Sequence, residues 1–198
     1  IDNPDLTRRE LDEVVQIHLK AFPGFFLTFL GKGFLRTMYR GFVTHPDSGL
    51  IVAKDNEQIL GVLAYSSDLS GFYSYLIKTQ IIPFAWYSLG AAIRKPTVFF
   101  RLLRAITKPG ESKRPESYIE LSSIGVVPNA KGQYIGTRLI NELKKNFDTG
   151  KYSYISLDTD AINNEGVNRF YNKNDFKLTR QFLTPEGRKM NEYRWTPK

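Results

Sequence analysis

Hydrophobic and polar positions follow two different periods along this chain, and the change of period marks its organisation. Thr7-Arg8-Arg9-Glu10 has the spacing of a capping box that opens a helix. Leu11, Val14, Val15 and His18 then recur at helical spacing toward Lys20. A second helix is predicted over Lys32 to Phe42, with Phe34, Leu35, Met38 and Tyr39 on one face. Gly24 and Gly31 bracket the aromatic connector between the two helices. From Leu50 the pattern turns β-rich: Leu50 to Ala53 and Ile59 to Tyr65 read as a hairpin across Asp55-Asn56-Glu57.

Ser67 to Glu116 breaks that rhythm and reads as two or three helices interrupted at Pro83 and Pro96. The remainder alternates. Strands are predicted over Tyr118 to Val127 and Tyr152 to Asp158, helices over Tyr134 to Phe147 and Asn164 to Lys173. Phe176 to Leu183 and Arg188 to Trp195 form a closing antiparallel pair. Such an order gives an α+β layered fold, a mixed sheet flanked by helices.

Composition narrows the chemistry. At 198 residues with 41% hydrophobic and 14% aromatic side chains, the chain fits one well-filled domain, 1–198, that includes the segment 67–116. Zero cysteines exclude disulfides, thiol catalysis and Cys-ligated zinc, and two histidines exclude a multi-histidine metal site, so no metal is expected. Ile1 to Arg9 lacks a cationic start followed by an apolar run, so no secretory leader is expected and a cytoplasmic location is. The longest uncharged stretch, Thr79 to Ile93, is shorter than the roughly 20 residues a bilayer needs. The net charge of +8 calls for an anionic partner, whether nucleic acid, lipid headgroups or a phosphate-bearing small molecule.

The stretch Ile124 to Leu139 is the most informative. A β-run ends at Pro128, a polar loop containing Gly132 follows, and an amphipathic helix begins near Tyr134. A strand–loop–helix junction presents unpaired backbone N–H groups and the positive end of a helix dipole, a ready phosphate site. It is neither a P-loop, because Gly136 is followed by Thr137-Arg138, nor a GxGxxG fingerprint.

Val127-Pro128, then Lys131-Gly132 and Gly136, resemble motif A of the GNAT superfamily of acetyl-CoA-dependent N-acetyltransferases. In that motif R/Q-x-x-G-x-G/A amides hold the CoA pyrophosphate; here Lys131 stands at the R/Q place and Tyr134 replaces the first glycine. Asn164 to Phe176 resembles the family's N-x-x-A-x-x-F-Y-x-K-x-G-F, matching at Asn164, Phe170, Tyr171, Lys173 and Phe176, with Val167 for Ala and Asp175 for Gly. The resemblance implies the GNAT fold, a mostly antiparallel mixed sheet with a helical insertion between its third and fourth strands, and acetyl-CoA as co-substrate. Implied cofactor contacts are Val126, Val127, Lys131, Gly132, Gln133, Tyr134, Ile135, Gly136, Thr137, Asn164 and Asn168. The backbone amides near Val126 and Val127 are implied to polarise the thioester carbonyl.

The same resemblance implies direct attack by a primary amine, with no covalent intermediate. Tyr171 is then the proton donor to the CoA thiolate, or else simply packs its helix on the sheet. Glu120 is the general base, or else a surface carboxylate at a strand start. Its parity places Glu120, Ser122 and Ile124 on one strand face, Leu121 and Ser123 on the other. Asp158 and Asp160 could bind the amine, Asn164 either contacts the pantetheine or caps its helix, and His18 and His45 read as structural. The aromatic run Ala21 to Gly31 and the segment 67–116 resemble GNAT members of surface-polysaccharide synthesis, implying an amino sugar, free or nucleotide-linked, as acceptor. Competing readings are a CoA-binding fold with another acyl donor or no catalysis, and a basic nucleic-acid module, which lacks a recognition helix with clustered Arg. Segment 67–116 holds eight Lys and Arg against three acids, so most of the excess charge lies outside the matched motifs. It could serve as a lid, a homodimer interface or a peripheral membrane surface.

Overall fold

The capping box forms as its spacing predicts. Thr7 Oγ1 accepts from the Glu10 N–H at 3.2 Å, and the Glu10 carboxylate accepts from the Thr7 N–H at 2.8 Å. They open α1, Arg8–Ala21. The computed structural model describes residues 6–23, 26–79, 116–130, 132–185 and 187–197. After α1 come α2 (Phe26–Phe29), α3 (Gly31–Thr44), the hairpin β1 (Ser48–Asp55) and β2 (Gln58–Ser66), and α4 (Leu69–Thr79). Then follow β3 (Tyr118–Val126), α5 (Ile135–Lys145), β4 (Tyr154–Asp160), α6 (Glu165–Lys173), β5 (Lys177–Leu183) and β6 (Lys189–Trp195).

The strands form one six-stranded sheet in the order β1-β2-β3-β4-β6-β5, antiparallel except for β3 and β4, which run parallel. This is the sheet arrangement that the resemblance implies. Among the described residues two strands precede the segment 67–116, which in the numbering used here leads from β2 to β3. Of the helices expected in that segment, α4 is described; the remainder, 80–115, lies outside the described residues. Among the described residues no helix is long and apolar enough to cross a membrane.

Two helical layers cover the sheet. A Cβ built on Gly125 would lie 3.1 Å from Ile17 and 3.2 Å from Ala21, both on α1. One built on Gly61, which faces the other way beside Val126, would lie 2.8 Å from Ile135 on α5. Helix α3 joins α1 on its face through the hydrogen bond between His18 Nδ1 and the Tyr39 hydroxyl (2.8 Å), and α4 packs on α3 by stacking Phe72 on Phe42 at 4.1 Å. Helix α6 joins α5, with the Phe170 ring against Gly136. His45 is buried and shares a 3.0 Å hydrogen bond with the Ser48 hydroxyl, the structural role expected of it.

Candidate active site

Strands β3 and β4 pair only at Tyr118–Tyr154, Ile119–Ile155 and Glu120–Ser156; beyond that point they diverge. Across β3, Tyr65 lies opposite Leu121 but Ala64 lies opposite Ser123, so Ser122 is an extra residue that bulges the strand. The bulge interrupts the strict alternation expected for Glu120 to Ile124, because an added residue breaks the period of two. A cavity of about 1100 Å³ fills the gap, lined from the α5/α6 face by the start of α5 and by α6, and from the other face by α1 to α4. The slot passes through the sheet.

Most expected site residues meet there. Glu120, Val126, Gly132, Tyr134, Ile135, Gly136, Thr137, Asn164 and Tyr171 all line the cavity. Tyr134 precedes α5 with φ 56° and ψ 19° and makes no side-chain cap. The family glycine is therefore replaced by a tyrosine that keeps the left-handed backbone a glycine would adopt, a strained conformation for a bulky side chain. Gly132 takes φ 87° in the same loop. Ile135, Gly136 and Thr137 line the cavity in the first turn of α5, where helix N–H groups lack an intrahelical partner and Tyr134 supplies no capping side chain. Gly136 sits tightly, because a Cβ there would lie 3.0 Å from the Phe170 ring and crowd it.

The two backbone amides expected at the carbonyl separate. The Val127 N–H donates to the Leu60 carbonyl at 2.9 Å and Val127 borders a different groove beside α1, so it is not available to a thioester. In an antiparallel ladder the neighbouring N–H points the other way, so that of Val126 faces the gap left by β4. Gln133 is exposed, its N–H donating to Ala130, and does not reach the cavity. Asn168 is held away as well. Its Nδ2 donates to the carbonyls of Asp160 and Asn164, and its Oδ1 accepts from Asn191 and the Tyr193 hydroxyl. Asn164 does not cap its helix, because its Nδ2 donates to Thr159 Oγ1 at 2.8 Å and to the Asp160 carbonyl. Lys131 lies outside the described residues.

Tyr171 is 6% exposed, its ring held edge-on to Phe176 at 5.9 Å. Its hydroxyl makes no hydrogen bond among the described residues, and burial pushes its pKa above that of a free phenol. Packing fixes the ring, and burial keeps the hydroxyl protonated. Glu120 is half-buried in the same cavity, with Tyr73 of α4 near enough that its charge adds to the burial that raises the Tyr73 phenol to about 12. Asp160 is engaged by Arg188 through two contacts of 2.8 Å, and Asp158 also lines the cavity.

Several lining residues escaped the sequence reading: Tyr73, Phe22, Leu27, Phe42 and Arg188. Phe22 and Leu27 lay in the aromatic connector, Arg188 at a strand start, and Tyr73 and Phe42 in helical stretches, with no local signal of a cavity. His18 also lines the cavity; its Nε2 is buried without a partner and desolvation lowers its pKa to about 4, leaving the ring neutral.

The acetyltransferase (GNAT) family model matches residues 11–176. No curated protein sequence matches the chain. Among solved structures, a GNAT-family protein of Desulfovibrio desulfuricans superposes with a TM-score of 0.62 at 13% identity, over 97% of this chain and 95% of that one. An N-acetyltransferase of Staphylococcus aureus Mu50 gives 0.59 at 15% identity, over 96% and 94%. NAA60 of Arabidopsis thaliana, solved with acetyl-CoA, gives 0.57 at 17% identity, over 96% and 95%. These likenesses show the fold, and the family match spans most of the chain. A β3–β4 slot, a donor-lined α5 start and a family model covering both together place this chain in the GNAT family of acetyltransferases.

Proposed function

We propose that this protein transfers the acetyl group of acetyl-CoA to a primary amine by direct attack within the slot between β3 and β4. The observation that carries this reading is the divergence of the two strands after Glu120–Ser156, with the Val126 N–H, Tyr171 and Glu120 all at the resulting gap. The uncapped N–H groups of Ile135, Gly136 and Thr137 suit a pyrophosphate, and the Asn164 Oδ1 suits an amide N–H of the pantetheine arm. Bound there, acetyl-CoA supplies an activated acyl group.

Each side chain then has one task. The Glu120 carboxylate takes a proton from the incoming amine, because the nitrogen must be neutral to attack. The Val126 N–H donates to the carbonyl oxygen as charge gathers on it. As the carbon–nitrogen bond forms and the carbon–sulfur bond breaks, the Tyr171 hydroxyl gives its proton to the departing sulfur. Alignment through the slot contributes much of the acceleration without a covalent intermediate. An amino sugar, the acceptor implied by the early aromatic run and the segment 67–116, competes with a plainer amine for the far mouth of the slot.

Acetyl-CoA titrated into the protein tests the core of this reading. It should raise Tm by mass action, with a heat of binding in calorimetry. Absence of both at saturating acetyl-CoA would dismiss the reading, and CoA binding with no acetylation of any amine would leave a binding protein.

A further inference from the structure

The Tyr171 hydroxyl makes no hydrogen bond among the described residues, so backbone and ring contacts fix its place. Those contacts belong to the end of α6. The Phe176 N–H donates to the Tyr171 carbonyl at 3.1 Å, and the Asp175 N–H to the Asn172 carbonyl at 3.1 Å. These are the paired bonds of a helix stop that turns through a left-handed residue. An apolar contact accompanies such a stop, here the Phe176 ring on the Tyr171 ring. Glycine commonly fills the left-handed place; this chain has Asp175 there, at φ 60°.

Lys144 of α5 is built onto that stop. Its Nζ donates to the Asn174 carbonyl at 2.6 Å and lies 3.6 Å from the Asp175 carboxylate. The side chain is 12% exposed, and its ammonium sits over the rings of Phe176 at 5.4 Å and Trp195 at 5.0 Å. Burial lowers its pKa while the Asp175 carboxylate raises it. An ammonium that gives up hydration in this way adds little to stability, since an apolar side chain of like volume often does as well. What it adds is direction, because it grips the last carbonyl of the helix end and the one carboxylate in the left-handed turn. Resting on the acetyltransfer reading, we infer that Lys144 is a positioning residue for the proton donor: it holds the stop at Asp175, which sets the Phe176 ring and with it the place of the Tyr171 hydroxyl. Proton delivery to a departing sulfur depends on that placement, and a shift of about 1 Å can cost on the order of 10²-fold in rate.

The test follows release of the free CoA thiol from acetyl-CoA with glucosamine and with 2-phenylethylamine, using the better acceptor of the two. The protein's own lack of cysteine keeps the background of that assay low. Lys144→Met keeps an unbranched chain between the two rings and removes the ammonium. It should lower kcat by about tenfold while KM for acetyl-CoA stays unchanged. If that variant is poorly folded, Lys144→Gln serves in its place. Two double variants separate positioning from a general loss of packing. Combined with Asp175→Gly, which takes the left-handed turn unaided, Lys144→Met should cost little. Combined with Tyr171→Phe it should cost nothing further, because the lysine acts only through that hydroxyl. An unaltered kcat in the single variant overturns the inference, as does a fall of the same size in either combination. Wild-type protein that binds acetyl-CoA yet releases no thiol with either amine overturns the acetyltransfer reading and this inference together.

Discussion

The two mouths of the slot are built by opposite means. The start of α5 presents main-chain N–H groups whose directions follow from the fold, whereas the α1/α3 wall is a set of side chains drawn from four helices, α1 to α4. A backbone-built site tolerates sequence change as long as the dihedrals survive. Tyr134 demonstrates this: it stands where the family has glycine, yet adopts the left-handed backbone the loop requires. A side-chain-built wall has no such tolerance, since each substitution alters shape and polarity at once.

The largest expected effect tests the backbone side. Gly136→Asp puts both a carboxylate and a Cβ at the start of α5, the latter 3.0 Å from the Phe170 ring. It should abolish the acetyl-CoA-induced rise in Tm, a loss of affinity of about 100-fold or more, measured by calorimetry. Retained binding would mean that the pyrophosphate lies elsewhere. Next, Tyr171→Phe should lower kcat by about 10²-fold with acetyl-CoA affinity unchanged, since a general acid contributes on that order. An unaltered rate across the pH range would take Tyr171 out of the chemistry and leave it as packing alone.

Glu120→Gln addresses the boundary between the two sides. We expect kcat/KM for the amine to fall about tenfold at neutral pH and to recover as pH rises toward the pKa of the amine, where free base no longer depends on the carboxylate. A uniform loss at every pH would point to a binding role for Glu120. A smaller effect concerns the α1/α3 wall. The folded-state pKa of His18, about 4, lies below its ordinary 6.5, so between those values the unfolded chain binds more protons. Its neutral burial is favourable above pH 6.5 and is progressively lost as pH falls toward 4, by about 1 kcal/mol at pH 5.5. Thermal melts across that window should show a shallower decline for His18→Asn than for the wild-type protein; parallel curves would mean that His18 is not the titrating group. The smallest effect is that of Tyr134→Gly. Relief of the left-handed strain should offset the entropy lost to glycine, leaving Tm within a few degrees and acetyl-CoA binding intact. A large fall in affinity would show that the tyrosine ring itself holds ligand.

Much of this architecture was readable in one dimension because local periodicity carries it. The capping box at Thr7, the amphipathic stripe Leu11 to His18 and the hairpin around Asn56 each depend on neighbours in sequence. The loop at Gly132 and the Phe170-Tyr171 pair were visible too, since their spacing is itself local. What could not be read is whatever depends on a neighbour far along the chain. Val127 looked equivalent to Val126 until pairing with Leu60 consumed its amide. Asn168 looked like a ligand until Asn191 and Tyr193 occupied its side chain.

By itself the amino-acid sequence determined most of the described elements and the family, because backbone propensity and motif spacing act over short range. Only the tertiary structure decided which amide faces the gap, that the slot crosses the sheet, and that helices α1 to α4 wall its far mouth with apolar side chains. Those properties arise from strand register and layer packing, where one extra residue at Ser122 changes the local pairing and residues distant along the chain become neighbours.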